Sequence, residues 1–109
     1  MVGRIEDTMA TMISPSVLKA LTDFTGEPRM DLAVRLVLRD AAQFKLRELE
    51  HGIQRFEEKY GTTFPVFEQR FQNGDIPDAF SYEVESDYLE WEGLLSRKKR
   101  AENILRWSA

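Results

Sequence analysis

The sequence predicts a mainly α-helical fold, on three observations. Between positions 29 and 60 there is no proline and a single glycine, Gly52. Over that stretch Ala42, Leu46, Leu49, Ile53, Phe56 and Tyr60 recur at spacings of four, three, four, three and four. A second seam, Val84, Tyr88, Trp91 and Leu95, follows the same rule at four, three and four. Apolar residues alternating between three and four apart line one face of a helix and call for a partner helix along that face.

The elements follow in order. Residues 1–7 read as a frayed start. Positions 8–13, Thr-Met-Ala-Thr-Met-Ile, tolerate a short strand with Met9, Thr11 and Ile13 on one side. A lone strand needs a partner to exist. Ser14-Pro15 is an N-cap followed by proline at the first helical position. Val17, Leu18 and Leu21 give the short helix that follows its apolar face, and Gly26 with Pro28 ends it. The long helix over 29–60 would span roughly 45–50 Å at 1.5 Å per residue. Gly52 costs it about 1 kcal/mol relative to alanine, too little to break a packed seam. Its first turns, with Leu32, Val34, Leu36, Val37 and Leu38, are apolar nearly all round and are expected to be buried on several sides, as in a dimer core. Gly61 caps its end. Thr63 and Pro65 open a short helix burying Val66, Phe67 and Phe71, which Asn73-Gly74 closes. Residues 75–78 form a loop, and Ser81 is the N-cap of a last helix reaching about Arg106. Glu83, Glu85 and Asp87 occupy the first turns of that helix and Arg97-Lys98-Lys99-Arg100 its later part, both favourable to the helix dipole.

The chain has 109 residues, 42% of them hydrophobic and 31% charged. That is one domain or two very small halves, and a core marginal enough for dimerisation to be expected. It holds no cysteine, which excludes disulfides, thiol catalysis and cysteine-based zinc sites. It shows no bilayer-length apolar run and no signal-peptide core, so a cytoplasmic location is expected. The net charge of −4 is unevenly spread. Residues 1–47 carry seven basic and six acidic side chains, residues 48–92 three and twelve, and residues 93–109 five and one. The middle segment, at −9, repels phosphates and attracts a basic protein surface.

Catalytic constellations are scarce. His51 is the one histidine, beside Glu48, Gln54 and Arg55 on a solvent-facing helix position, and any serine nucleophile would need it as base. The six glycines stand singly, so no phosphate-cradling loop is present. Glu83 and Asp87 lie four apart on one face, but Asp75, Asp78, Glu83 and Glu85 do not match the alternating-ligand calcium loop. The sequence therefore reads as a non-enzymatic protein without metal or cofactor. The basic run 97–100 reads as a solvated helix end, and Arg4, Lys19, Arg29, Arg35 and Arg39 are scattered.

The order of weak strand, Ser-Pro-capped helix, Gly26 turn and apolar helix resembles the N-terminal half of ribbon-helix-helix proteins, whose dimers place paired strands in the DNA major groove. That resemblance covers residues 1–47 and implies a dimer with DNA-facing Arg4, Thr8, Ala10, Met12, Arg29 and Arg35. No basic residue stands among Thr8, Ala10 and Met12.

Residues 44–98 carry a more specific pattern. Phe56-Glu57-Glu58-Lys59-Tyr60-Gly61, then Phe64 and Phe67-Glu68, then Glu85-Ser86-Asp87-Tyr88 and Glu90-Trp91-Glu92 resemble the TumA-type antitoxins of prokaryotic toxin–antitoxin pairs. Thr62 stands where that family usually has methionine. The resemblance implies an acidic helical hairpin, residues 48–109, that neutralises a ribonuclease-type toxin encoded by the adjacent gene. A nuclease cleft is basic, so acids suit it, and Glu83, Glu85, Asp87, Glu90 and Glu92 with Tyr88 or Trp91 as anchor form the expected contact set. Autoregulation through operator DNA is the companion activity. Two other classes fit the same sequence: a stand-alone ribbon-helix-helix regulator and a helical adaptor without a nucleic-acid role.

Overall fold

The computed structural model describes residues 13–108. Among them are four helices, α1 (Pro15–Thr25), α2 (Met30–Tyr60), α3 (Phe64–Gln72) and α4 (Tyr82–Ser108). The mainly α-helical expectation holds. The strand expected over 8–13 lies, except for Ile13, outside the described residues, as do Arg4, Thr8, Ala10 and Met12.

The helix ends fall where the local chemistry puts them. Ser14 takes an extended backbone and its Oγ accepts the Val17 amide at 3.3 Å, while Pro15 opens the helix. Gly26 closes α1 at φ 72°, donating its amide to the Thr22 carbonyl at 2.8 Å, a left-handed cap that a side chain would strain. Gly61 follows the last residue of α2 with a left-handed backbone at φ 67°. Thr63 supplies the extended N-cap backbone of α3, with no capping bond from its side chain. Ser81 caps α4 by accepting the Val84 amide at 3.3 Å.

The chain divides into two compact units, one of residues up to Asp40 together with Ser108 and one running from Ala41 to Trp107. In the first, Ala33 is the one buried apolar residue among the described residues. The expectation that the first turns of α2 are enclosed on several sides needs correcting for the single chain. Leu36 is 42% exposed, Leu38 is exposed too, and Phe24 on α1 is 77% exposed. A stretch of twenty-odd residues cannot wrap an apolar cylinder by itself.

The second unit carries the core. Ile53, Phe64, Phe67, Val84 and Trp91 are buried together, with Phe56, Tyr60, Phe71, Ile76, Tyr88, Leu94 and Leu95 packed against them. Trp91 is fully enclosed, its ring 5.1 Å from Phe67, 5.3 Å from Phe64, 5.5 Å from Phe56 and 6.0 Å from Tyr60. Such offset and edge-on aromatic pairs add to the area they bury. Both sequence seams are confirmed, since none of Ala42, Leu46, Leu49, Ile53, Phe56 and Tyr60, or of Val84, Tyr88, Trp91 and Leu95, is exposed. Val66, expected inside, is 41% exposed. Phe64, Phe67 and Phe71, three and four apart, take the inward stripe of α3 and leave Val66 beside it.

Gly52 explains how α2 and α4 come together. The helix runs through it unbroken, the glycine is buried, and a Cβ built there would stand 3.0 Å from Leu94 Cδ1. The residue that weakens α2 locally is the one that lets Leu94 of α4 seat against its backbone.

Candidate functional site

The acids of α4 divide between two edges of the second unit. On the first edge, Lys59 in the last turn of α2 donates from Nζ to Asp87 Oδ2 at 2.6 Å and to Glu83 Oε1 at 2.8 Å. The Tyr60 phenol donates to the same Asp87 oxygen at 2.5 Å. These bonds hold the Lys59 ammonium firmly protonated, with Asp87 the larger influence and Glu83 the smaller. Burial first, and the bond to Asp87 second, push the Tyr60 hydroxyl up to about 12. Asp87 is thus an internal acceptor joining α4 to α2. Only 14% of its side chain meets solvent, against 74% for Glu83.

On the second edge, Tyr88 donates to Glu68 Oε2 of α3 at 2.5 Å, and this bond raises its hydroxyl to about 12. The Tyr88 ring lies 4.8 Å from that of Phe71. Phe71, Tyr88, Leu89 and Glu85 line a shallow cleft of about 240 Å³. Leu89 is 66% exposed, and Tyr82 at the start of α4 and Phe80 in the turn before it are each 88% exposed. Glu85 and Glu92 are exposed on the same helix. Glu90, also exposed, borders a separate groove between α2 and α4 of about 300 Å³, lined by Gly52, Arg55, Phe56, Lys59 and Leu94 among others. Among the described residues no ion pair holds Glu85, Glu90 or Glu92.

The expected contact set is therefore not one surface. Trp91 has no exposed area and cannot touch a partner while the core is closed; as a contact it is corrected to the centre of the core. Its seam position makes this outcome natural, because a residue facing the partner helix cannot also face solvent. Tyr88 is half-buried and Asp87 committed to Lys59 and Tyr60. Glu83 is exposed but shares Lys59. Glu85, Glu90 and Glu92 remain outward, with no ion-pair partner among the described residues.

The aromatics around this helix are expected from sequence to be mostly core, yet Tyr82 and Phe80 are each 88% exposed, and Leu89 and Glu68 were missed. Leu89 was detectable, being a large apolar residue off the seam with Glu85 four before it and Glu92 three after. Nothing in the sequence marks Glu68 as the acceptor of Tyr88, a contact between helices twenty residues apart.

Of the expected DNA-facing residues, two are described. Arg29 donates to Glu27 Oε1 from its backbone amide at 3.0 Å and from Nε at 3.1 Å, and these bonds, the backbone one first, lower the Glu27 carboxyl. Arg35 is exposed on α2. His51 lies in an open depression of about 680 Å³ lined by Glu48, Gln54, Arg55 and Glu58. Among the described residues no group of three histidine, aspartate or glutamate side chains is arranged to hold a metal ion. No described helix is long and apolar enough to cross a membrane.

Comparison of the chain with family models, curated proteins and solved structures finds no match.

Proposed function

We propose that this chain is a non-enzymatic antitoxin that neutralises a ribonuclease-type toxin, encoded by the adjacent gene, by direct binding through the acidic face of its second unit. The observation that carries this reading is the state of Glu85, Glu90 and Glu92. They are exposed and without an ion-pair partner among the described residues, on a segment of net charge −9. Carboxylates held out on a rigid helix attract a phosphate-binding protein surface and repel nucleic acid itself. The resemblance of residues 44–98 to TumA-type antitoxins supplies the class of partner. Exposed Tyr82, Phe80 and Leu89, rather than Trp91, supply the apolar anchors.

The first unit serves a homodimer in this reading. Val17, Phe24, Leu36 and Leu38 are exposed together on a short segment that buries little of its own, and a second copy gives them cover. The dimer acts in the cytoplasm and also binds operator DNA through residues 1–47, so that the pair regulates its own synthesis.

Co-expression with the neighbouring open reading frame tests the reading. The neighbour alone should arrest growth and the intact chain should restore it. The E85Q/E90Q/E92Q variant should fail to protect, while an E48Q/E50Q control on α2 should protect normally. A harmless neighbour, or full protection by the triple variant, overturns the proposal.

A further inference from the structure

The cleft beside Leu89 points to the chemistry of the partner segment. We infer that the cleft lined by Phe71, Glu85, Tyr88 and Leu89, with Glu92 three residues beyond Leu89 on α4, receives an apolar side chain from a cation-flanked helical segment of another protein. This inference rests on the binding role proposed above and says where on the chain, and against what, that role is exercised.

The argument begins with spacing. Glu85 stands four residues before Leu89 and Glu92 three after, so the three share one face of α4, with the carboxylates on either side of the leucine. Leu89 is 66% exposed, yet it is no isolated surface residue. It continues an apolar floor made by the rings of Phe71 and Tyr88, 4.8 Å apart, in a cleft of about 240 Å³. The floor is fixed from behind, because the Tyr88 phenol is tied to Glu68 across to α3. A preformed apolar floor lowers the ordering cost of an incoming side chain.

Charge selects the occupant. The contrast with the opposite edge is internal to this helix: Glu83 and Asp87 have Lys59 between them, whereas Glu85 and Glu92 have no such cation among the described residues. The basic run of α4 does not supply one, since Arg97 Nε bonds the Gly93 carbonyl and Arg100 bonds Ser96 Oγ on its own helix. With Leu89 flanked along α4 by the unpaired carboxylates of Glu85 and Glu92, the cleft favours a lysine or arginine on each side of the inserted residue. It penalises an acidic or uncharged segment.

The full chain is titrated calorimetrically with a synthetic helical peptide bearing one leucine stripe flanked by lysines, and with the same peptide carrying glutamates instead. The lysine peptide should bind saturably and the glutamate peptide should not. L89D and E85Q/E92Q should each weaken binding at least tenfold, with E48Q/E50Q unchanged; the altered side chains are exposed, and circular dichroism checks that each variant is folded. Undiminished binding to folded L89D, or equal binding of both peptides, overturns the inference. Light scattering of the chain alone covers the rival occupant, since self-association abolished by L89D would assign the cleft to a second copy and overturn it too. The two readings fail separately. A neighbouring-gene product that binds wild type and L89D equally removes the cleft but keeps the antitoxin. Peptide binding at the cleft with a harmless neighbour removes the antitoxin but keeps the cleft.

Discussion

Lys59 and Asp87, twenty-eight positions apart in the chain, meet at 2.6 Å and tie the end of α2 to the second turn of α4. Tyr60 donates to the same carboxylate, so one aspartate receives two donors from two consecutive residues. Removing it orphans the phenol, which lies in the partly buried layer. D87A is expected to cost about 1–2 kcal/mol, the range for a hydrogen-bonded charged group with part of its network in solvent. E83A, from a carboxylate 74% exposed, should change stability by under about 0.5 kcal/mol. Urea midpoints of the two variants check the ranking.

The tyrosines make alkaline stability a readout of the same contacts. Tyr60 and Tyr88 both hold hydroxyls raised to about 12, above the ordinary value of about 10. A group raised in the folded state contributes stability that is complete below its unfolded pKa and is lost as pH climbs to the folded one. Lys59, also raised, acts with the same sign. The urea midpoint should therefore decline between about pH 10 and 12. A Y60F/Y88F variant should show a shallower decline across that window.

Trp91 is the packing centre of the second unit. W91A removes a fully buried indole from contact with four rings and should cost about 3–5 kcal/mol, enough to melt so small a unit. W91F should cost clearly less. Thermal unfolding followed by far-ultraviolet dichroism separates the two.

Gly52 and Leu94 define how close the long helices come. A leucine at position 52 must displace Leu94, whose Cδ1 already sits 3.0 Å from the place of a Cβ. G52L is expected to destabilise by about 1–3 kcal/mol through overpacking. In a G52L/L94A background part of that loss should return, which a double-mutant cycle measures.

Much of this fold can be read from residue spacing. The Ala42-to-Tyr60 and Val84-to-Leu95 seams place the second-unit core because an amphipathic helix must bury its stripe, and Ser14, Gly26, Gly61 and Ser81 mark ends because their backbone or side chains suit those positions. What failed was long-range. Spacing shows that Tyr88 and Trp91 turn inward but not that Trp91 loses all solvent contact. A run of five acids gives no sign that Lys59, distant in sequence, takes two of them. Val66 was misplaced because two apolar residues adjoin it and a two-turn helix has room for one stripe only. The first turns of α2 mark the reverse case: their all-round apolarity is evident in the sequence, and a single chain does not satisfy it.

That unsatisfied surface yields a prediction of its own. Phe24 and Leu36 are exposed in the single chain, and under the proposed dimer they lie in its interface. Light scattering should give a dimer mass for the wild type and a monomer mass for F24E/L36E, with helical content kept. Equal masses for both would remove the first unit from self-association.

The central claim is that unpaired acids on α4 hold a basic protein partner. Its most direct test is co-purification of the neighbouring gene product with tagged wild type and with E85Q/E90Q/E92Q, in the same buffer. A stoichiometric complex with the wild type, lost in the triple variant, is the predicted result. A complex of equal yield from both, or none from either, would contradict the account.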